Sequence, residues 1–440
     1  MSAVEKISNV FRIKDLRDKI LFTILMILIY RIGTHIPIPG IDGKALGELF
    51  TRQLRGSFLG LYDLFVGGAL SRASVLGTGV MPYISASIIF QLLVTVIPYL
   101  EKLQKEGEAG RRKITQYTRY ATVLVAAIQS FGVATLLTRF TSPSGFPIVP
   151  HPGPGFMFTT VLTLTAGAIF AMWLGEQITE RGIGNGVSLL IFVGTLDTVP
   201  QEIASTIELI RTGALSIPMA LLVAAIMFLV TASVVFMTIA ARKIPVQYAR
   251  RIIGRRIYGG QTTHIPLRVI TAGVIPIIFA QSIMIFPNTV ASFFPGFRWA
   301  ETFNQWFIPG HPFYDIPYAL LIIFFTYYYT AIILNPKDLA ENLQRYGGFI
   351  PGIRPGEKTS EYIDKVLKRI TFPGSLYLAF VAIFPFYLIK WSHVPFYFGG
   401  TRLLIIVGVA LDTLQQIESF LLMRQFEGLL KKGRIYGRRR

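Results

Sequence analysis

The sequence predicts an all-α polytopic membrane protein with ten transmembrane helices and a short re-entrant helix before the second of them. Three observations support this fold class: the composition is apolar, ten apolar stretches are long enough to cross a bilayer, and basic residues concentrate in alternate connecting segments. Charged residues make up 15% of the 440 residues and apolar residues 52%. In soluble globular proteins roughly 25% of residues are charged, so this chain must keep several long segments out of water.

The predicted spans follow from length and polarity. A bilayer core of about 30 Å requires roughly 20 mostly apolar residues in a helix. Ten stretches approach this requirement: residues 20–38, 75–100, 121–137, 156–175, 186–203, 218–241, 269–286, 316–334, 376–389 and 403–422. The fifth is the weakest because Asp197 and Pro200 interrupt it, and the ninth is short. The first is expected to be retained, since no small-residue cleavage site of a signal peptide follows it.

Basic residues set the predicted orientation. The chain has 43 Lys and Arg against 24 Asp and Glu, a net charge of +19. Segments on the N-terminal side of the membrane hold 33 of the basic residues, and the opposite segments hold 9. Because cytoplasmic loops carry the excess of Lys and Arg, both termini are predicted to face the cytoplasm.

An internal repeat connects the second and seventh spans. Residues 79–89 and 273–283 share Gly, Val, Pro, Ile, Ala and Ile at equivalent positions, at an offset of 194. Five spans separate the two copies, and an odd number reverses the direction of the chain. The sequence therefore predicts two inverted, pseudo-symmetric halves, residues 1–210 and 211–440, with a pathway at their interface. Chance similarity between apolar helices is the alternative.

The segment SFLGLYDLFVGGALSR, residues 57–72, precedes the second span. It is apolar and compatible with a helix but too short to cross the bilayer, and Asp63 and the Gly67–Gly68 pair make it a poor membrane helix. Such a segment can be a re-entrant piece buried in protein. A surface helix outside the membrane is the alternative.

Catalytic constellations are lacking, and no cofactor is expected. The chain has no cysteine, none of its five histidines has metal-ligand spacing, and no phosphate-binding P-loop motif is present. Asp197 and Asp412 are the acids well inside spans; they fit helix packing through a hydrogen bond, or an intramembrane aspartyl protease. A secondary transporter with inverted repeats is a further alternative, although the interior-facing candidates are Ile and Val, which bind no small polar solute. The sequence therefore predicts a pathway through the membrane and no enzymatic activity.

Two long connecting segments on the cytoplasmic side look like docking surfaces. Segment 242–268 holds seven basic residues and no acidic one. Its clustered arginines suit phosphate or carboxylate partners, which guanidinium groups bind with two hydrogen bonds; they are Arg250, Arg251, Arg255 and Arg256. Segment 335–369 carries Arg354 on a tip shaped by Gly and Pro. A solvated loop that only sets orientation is the alternative for the first segment.

Long stretches of the chain resemble the SecY family, the central subunit of the bacterial protein-conducting channel. They run from the first predicted span to the last, so the resemblance covers essentially the whole chain. The matching stretches are RIGTHIPIPGID (31–42), GGALSRASVLGTGVMPYISASIIFQLL (67–93), KEGEAGRRKITQYTRY (105–120), WLGEQITERGIGNG (173–186), YGGQTTHIPLR (258–268), PGIRPGEKT (351–359) and VPFYFGGTRLLI (394–405).

The resemblance implies ten helices in two halves around an hourglass pore. Residues 57–72 would be the plug that closes the external funnel at rest, with Leu61, Leu64, Phe65, Gly67 and Gly68 as its central residues. The constriction would be formed by Val80, Ile84, Val187, Ile191, Ile278 and Ile405. Two of these six are valine where the family usually has isoleucine, so the bore is expected to be slightly wider.

The resemblance also implies partners and a location. Spans two and seven, with three and eight, would form a lateral gate through which signal sequences and membrane helices leave for the lipid. Segments 242–268 and 335–369 would dock the ribosome, including its RNA, and the motor ATPase SecA, with Arg354 at the family's position on the tip. Small SecE-like and SecG-like membrane subunits would accompany the chain in the bacterial cytoplasmic membrane, where nascent chains are its clients and lipids surround it.

Overall fold

The computed structural model describes residues 13–50, 58–143, 145–248, 251–253, 256–258, 262–292, 297–298, 302–303, 306–392 and 400–433. Its first helices are α1 (Lys14–Gly33), α2 (Gly43–Leu49), α3 (Phe58–Val66), α4 (Met81–Val96), α5 (Pro98–Lys105), α6 (Glu108–Leu137), α7 (Pro154–Arg181), α8 (Gly186–Asp197) and α9 (Val199–Arg211). Then follow α10 (Ile217–Ile239), β1 (Ala241–Tyr248), β2 (Arg251–Ile253), β3 (Arg256–Tyr258), β4 (Thr262–Arg268) and α11 (Ile275–Ser292). The last elements are α12 (Pro312–Ile333), α13 (Pro336–Arg345), β5 (Gly348–Phe349), α14 (Glu357–Ser392) and α15 (Gly400–Gly433).

A helix lies at each of the ten predicted spans, which confirms the helical membrane fold. Within the described residues, seven helices are long and apolar enough to cross a membrane. The number rises to eight if α4 and α5, bent by 97° at the break between them, form one span. Other helices, such as α1, are shorter or less apolar, so the count of ten spans stays a prediction.

Three span boundaries differ from the prediction for local reasons. The second span was expected to begin at Val75, but turns continue to Val80 and α4 begins at Met81, with Pro82 in its first turn. The fifth span continues past Ile203 as one candidate span, Gly186–Arg211, with a one-residue interruption at Thr198 between α8 and α9, where Asp197 and Pro200 lie. The short ninth span is part of the 36-residue helix α14.

The chain packs into two compact units. Unit 1 consists of Met1–Ser205, Ser282–Ile308 and Val409–Arg440, and in it α7 packs against α1, α6 and α8. Unit 2 consists of Thr206–Gln281 and Pro309–Gly408, and in it α14 packs against α12 and α13. The two inverted halves of the chain stay a proposal.

In unit 2, the two segments predicted as separate docking loops form one subdomain. Strands β1 and β4 pair antiparallel, from Ala241 opposite Arg268 to Gln247 opposite Thr262, and β5 adds to the end of β1. Side chains alternate along β1, so that Ile244 and Val246 are buried and the residues beside them are exposed. The buried core joins this ribbon to α13, β5 and the start of α14; its members are Ile244, Val246, Leu267, Leu343, Ile350, Ile363 and Leu367. We call these elements the sheet subdomain.

Gly167 permits a close contact in unit 1. A Cβ atom at this position of α7 would lie 2.0 Å from the carbonyl oxygen of Val75. We therefore expect Gly167→Ala to lower the free energy of unfolding by about 1–3 kcal/mol, as other overpacking substitutions do. Thermal unfolding of the purified protein in detergent measures the change. Gly155→Ala is the matched control on the same helix, because no atom lies within 4 Å of that position; equal shifts for both variants would contradict the close contact.

Candidate functional site

The short helix α3 is buried inside unit 1. Phe65 and Val66 are 8% and 2% exposed, and Ala69 and Leu70 behind them are 0% and 3% exposed. This burial favours the re-entrant interpretation over a surface helix. Nine residues of helix extend only about 14 Å, so α3 cannot cross a bilayer. The side chains of Leu61 and Leu64 lie outside the described residues.

Two glycines form the turn that follows α3. Gly67 and Gly68 have φ angles of 75° and 73°, in a region that favours glycine because other residues clash there. A Cβ atom on Gly67 would lie 2.6 Å from the Cα atom of Gly194 in α8. The end of α3 therefore touches the backbone of α8, and both conformation and space require glycine at this point.

Polar groups of α3 bind the segment behind it. The Asp63 carboxylate accepts hydrogen bonds from the backbone N–H groups of Leu70 and Ser71, both at 2.9 Å. The Tyr62 hydroxyl donates to the carbonyl oxygen of Thr78 at 3.2 Å. Asp63, the acid that makes this segment a poor membrane helix, thus stabilises a buried turn through these two hydrogen bonds.

Four residues predicted for the constriction lie in unit 1. Val80 and Ile84 are 4% and 3% exposed and stand one helical turn apart at the start of α4. Val187 and Ile191 share one face of α8, because residues four apart are neighbours on a helix. Ile191 is buried and Val187 is half-buried.

The other two predicted constriction residues, Ile278 and Ile405, lie in unit 2 and are 4% and 0% exposed. A Cβ atom on Gly408 would lie 2.2 Å from Cγ1 of Val274. Thus α15 and the residue that precedes α11 are in close contact. Ile278 and Ile405 each lie about one helical turn from that contact, so the structure brings their segments together. The convergence of all six residues on one axis stays a prediction.

Arg354 is exposed on the turn between β5 and α14. Gly352 and Gly356 beside it have φ angles of 81° and 97°. The Thr359 hydroxyl donates to the carbonyl oxygen of Arg354 at 2.9 Å. The turn rests on the buried core of the sheet subdomain through Ile350, so the tip has a defined backbone shape.

The other predicted docking arginines are described only in part. Arg251 lies in β2 and Arg256 in β3, which pair antiparallel with each other. Their side chains lie outside the described residues, as do Arg250 and Arg255 altogether. Their role stays a prediction.

Sequence reasoning missed the partners of Asp197. Arg31, in the last turn of α1, donates to one carboxylate oxygen, and Arg72 donates to the other at 2.8 Å. The three side chains are between 18% and 26% exposed. The signal available in the sequence was that both Asp197 and Arg31 occur inside predicted spans, where an ionised group needs a partner.

This ion cluster bears on the protease alternative. The two carboxylates of an aspartic protease share one proton, whereas both oxygens of Asp197 accept hydrogen bonds from guanidinium groups, which stabilise the ionised acid. The geometry therefore gives Asp197 a structural role. In the part of the chain that the structure describes, no group of three His, Asp or Glu side chains could hold a metal ion.

Comparison with known proteins identifies close relatives. A model of the SecY family matches residues 74–414. The protein translocase subunit SecY of Escherichia coli strain K12 is 50% identical over 96% of each chain. The subunit of the same name from Aquifex aeolicus strain VF5 is 45% identical over 97% of this chain and 100% of the relative.

Solved structures have the same fold. A structure described as a protein-conducting channel superposes with a TM-score of 0.68 at 17% identity, covering 92% of both chains. A SecY structure whose plug domain stabilises the closed state of the translocation channel gives 0.64 at 18% identity, again over 92% of both chains. The channel of a canine ribosome–channel complex from the endoplasmic reticulum gives 0.64 at 16% identity, with the same coverage.

Proposed function

The chain belongs to the SecY family of protein-conducting channels, and from this premise we propose that it moves unfolded secretory polypeptides across a bacterial cytoplasmic membrane and releases membrane helices sideways into lipid. The observation that carries the detailed proposal is α3. A helix too short to cross, buried in unit 1 and joined to its neighbours through a glycine turn, suits a movable plug. The related SecY structure whose plug domain stabilises the closed channel supports this role.

The proposed constriction consists of aliphatic side chains. This composition explains how it can block ions and still accept polypeptides of many sequences. A hydrophobic constriction resists wetting and therefore the flow of ions. It offers no specific hydrogen-bond partner, so it accepts polypeptides of any sequence. The chain encodes no P-loop, so the energy for movement comes from a partner or from the membrane potential.

The proposed lateral gate is formed by the second and seventh spans, α4 and α11, as the resemblance to the family implies. Within unit 1, the Ser282 hydroxyl of α11 donates to the Met81 sulfur of α4 at 4.0 Å. A thioether is a weak acceptor, so this contact can part at small energetic cost. An apolar signal sequence that reaches the open seam moves into lipid with a gain of about 0.8 kcal/mol per CH₂ group buried.

The sheet subdomain is the proposed docking surface for the ribosome and SecA. Its core holds the ribbon and the Arg354 tip in one body, so a partner can bind both predicted docking segments at once. The fold shared with the canine ribosome–channel complex supports the ribosome as a partner. Arginine suits this role because its planar group binds RNA phosphates and acidic side chains alike.

The outer face of α10 is proposed to contact lipid or the small SecE-like and SecG-like subunits. Leu221, Phe228 and Phe236 are 67%, 73% and 72% exposed. Several large apolar side chains exposed on one helix mark a surface that lipid or another protein covers. Co-purification from membranes tests for the small subunits.

Both termini are proposed to face the cytoplasm, because basic residues concentrate in the connecting segments on that side of the membrane.

Reconstitution tests the proposed function as a whole. The chain with its co-purified subunits is placed in liposomes with SecA, ATP and an unfolded secretory precursor. Precursor that becomes protected from added protease supports the channel. Uptake of a small solute without any partner, and no protection of precursor, would instead support a secondary transporter.

A further inference from the structure

Asp197 binds the segment that follows the plug turn to the end of the first span. Arg72 lies four residues after Gly68, and Arg31 lies in the last turn of α1. Both donate to the Asp197 carboxylate at the end of α8. Hydrogen bonds between ionised groups are about twice as strong as neutral ones, and the three side chains are only 18–26% exposed. It joins three separate parts of unit 1.

Backbone hydrogen bonds hold the same segment. The N–H of Ile38 donates to the carbonyl of Ala73 at 2.7 Å, and the N–H of Val75 donates to the carbonyl of Ile36 at 2.9 Å. Pro37 and Ser74 lie opposite each other between these bonds as an antiparallel bridge. We call residues 70–75 the plug base. It is paired like a strand with the chain that follows α1.

The helix α2 covers the plug base. A Cβ atom on Gly43 would lie 3.8 Å from the carbonyl oxygen of Arg72, and one on Gly47 would lie 4.0 Å from that of Ser71. Asp42 caps α2 by accepting from the N–H of Lys44 at 2.9 Å, and its own N–H donates to Ile148. The plug base therefore contacts α2 as well as Asp197 and the chain that follows α1.

Helix α3 is joined to the plug base through glycine. Gly67 and Gly68 supply a flexible pair between the two, since glycine has the widest choice of backbone angles. We infer that Asp197 positions the plug by keeping its base in place, and that the channel opens when α3 turns about Gly67 and Gly68 and releases the hydrogen bonds of Asp63 to Leu70 and Ser71. This inference rests on the proposed function, in which α3 is the plug.

A cross-link tests whether the base stays in place. Opposed residues of such a bridge have Cα atoms about 4.5–5.5 Å apart, within the range that a disulfide spans. The natural chain has no cysteine, so Pro37→Cys with Ser74→Cys gives one defined pair, and the unchanged chain treated alike is the control. The oxidant is removed before SecA is added.

The outcomes separate this inference from the proposed function. We expect the oxidised pair to transport precursor at no less than half the rate of its reduced form. Transport that stops on oxidation and returns on reduction would show that the base must move, and would overturn the inference alone. If the unchanged chain transports no precursor, the proposed function itself fails.

Substitution of Asp197 is the second test and does not depend on cysteines. Asp197→Asn leaves two guanidinium groups without their anion, and we expect the resting ion conductance in planar bilayers to rise at least tenfold. Asp197→Glu keeps the negative charge and should restore a tight channel. Arg72→Gln should leak like Asp197→Asn. The double variant Arg72→Gln with Asp197→Asn should leak no more than either single variant, because both substitutions break the same contact. Glu208→Gln, an exposed acid on α9, is the control. A tight Asp197→Asn channel would contradict the positioning role.

Discussion

Arg354→Glu is expected to cripple SecA-driven export while the protein stays folded and inserted. Arg354 is exposed on a glycine-shaped turn that rests on the core of the sheet subdomain. An exposed charge contributes only about 0–1 kcal/mol to folding. Reversal of a charge that is desolvated in an interface costs about 2–5 kcal/mol of binding, or roughly 30- to 4,000-fold in affinity.

Binding of SecA to the reconstituted channel and transport of a precursor measure this effect. Arg139→Glu is the matched control, because it makes the same substitution at an exposed position just after α6, outside segments 242–268 and 335–369. We expect the control to bind SecA within a few-fold of the unchanged protein. Normal transport by the Arg354→Glu channel would refute the assignment of Arg354 to the docking surface.

Replacement of Ile278 or Ile405 by Asn is expected to make the resting channel easier to open and less selective for strong signal sequences. Both side chains are buried within unit 2. A fully buried aliphatic side chain is worth about 1.5–3 kcal/mol, of which only part distinguishes the closed channel from the open one. A loss of about 1.4 kcal/mol shifts the ratio of closed to open channels tenfold. The Asn amide also hydrates the constriction and lowers the barrier to ions.

Single-channel recording measures the opening frequency, and export of precursors with defective signals measures selectivity. Leu222→Asn is the control: Leu222 lies on α10 and is 45% exposed, so Asn there should disturb the helix without opening the channel. If the Ile278 and Leu222 variants behave alike, Ile278 is a packing residue outside the constriction.

Local features of the fold could be predicted from the sequence because they depend on residues that are neighbours in the chain. The apolar runs marked a helix at every predicted span, and the one-residue interruption of the fifth span lies between Asp197 and Pro200. The pair Gly67–Gly68 marked residues 57–72 as a poor membrane helix, and the structure ends α3 at Val66 and gives both glycines positive φ angles. Burial of α3 was one of two interpretations, since a short apolar helix can lie against protein or at a surface, and its packing against α8 decided between them.

The sequence by itself thus determined a helical membrane protein, the places of its helices and the short helix before the second span, because length, polarity and glycine act on neighbouring residues. Only the tertiary structure decided which partners Asp197 has, since Arg31 and Arg72 lie 166 and 125 residues away. It also decided that segments 242–268 and 335–369 share one core. The sequence shows that a charge inside a span or a strand with one apolar face needs a partner. Which residue is the partner depends on how distant segments pack.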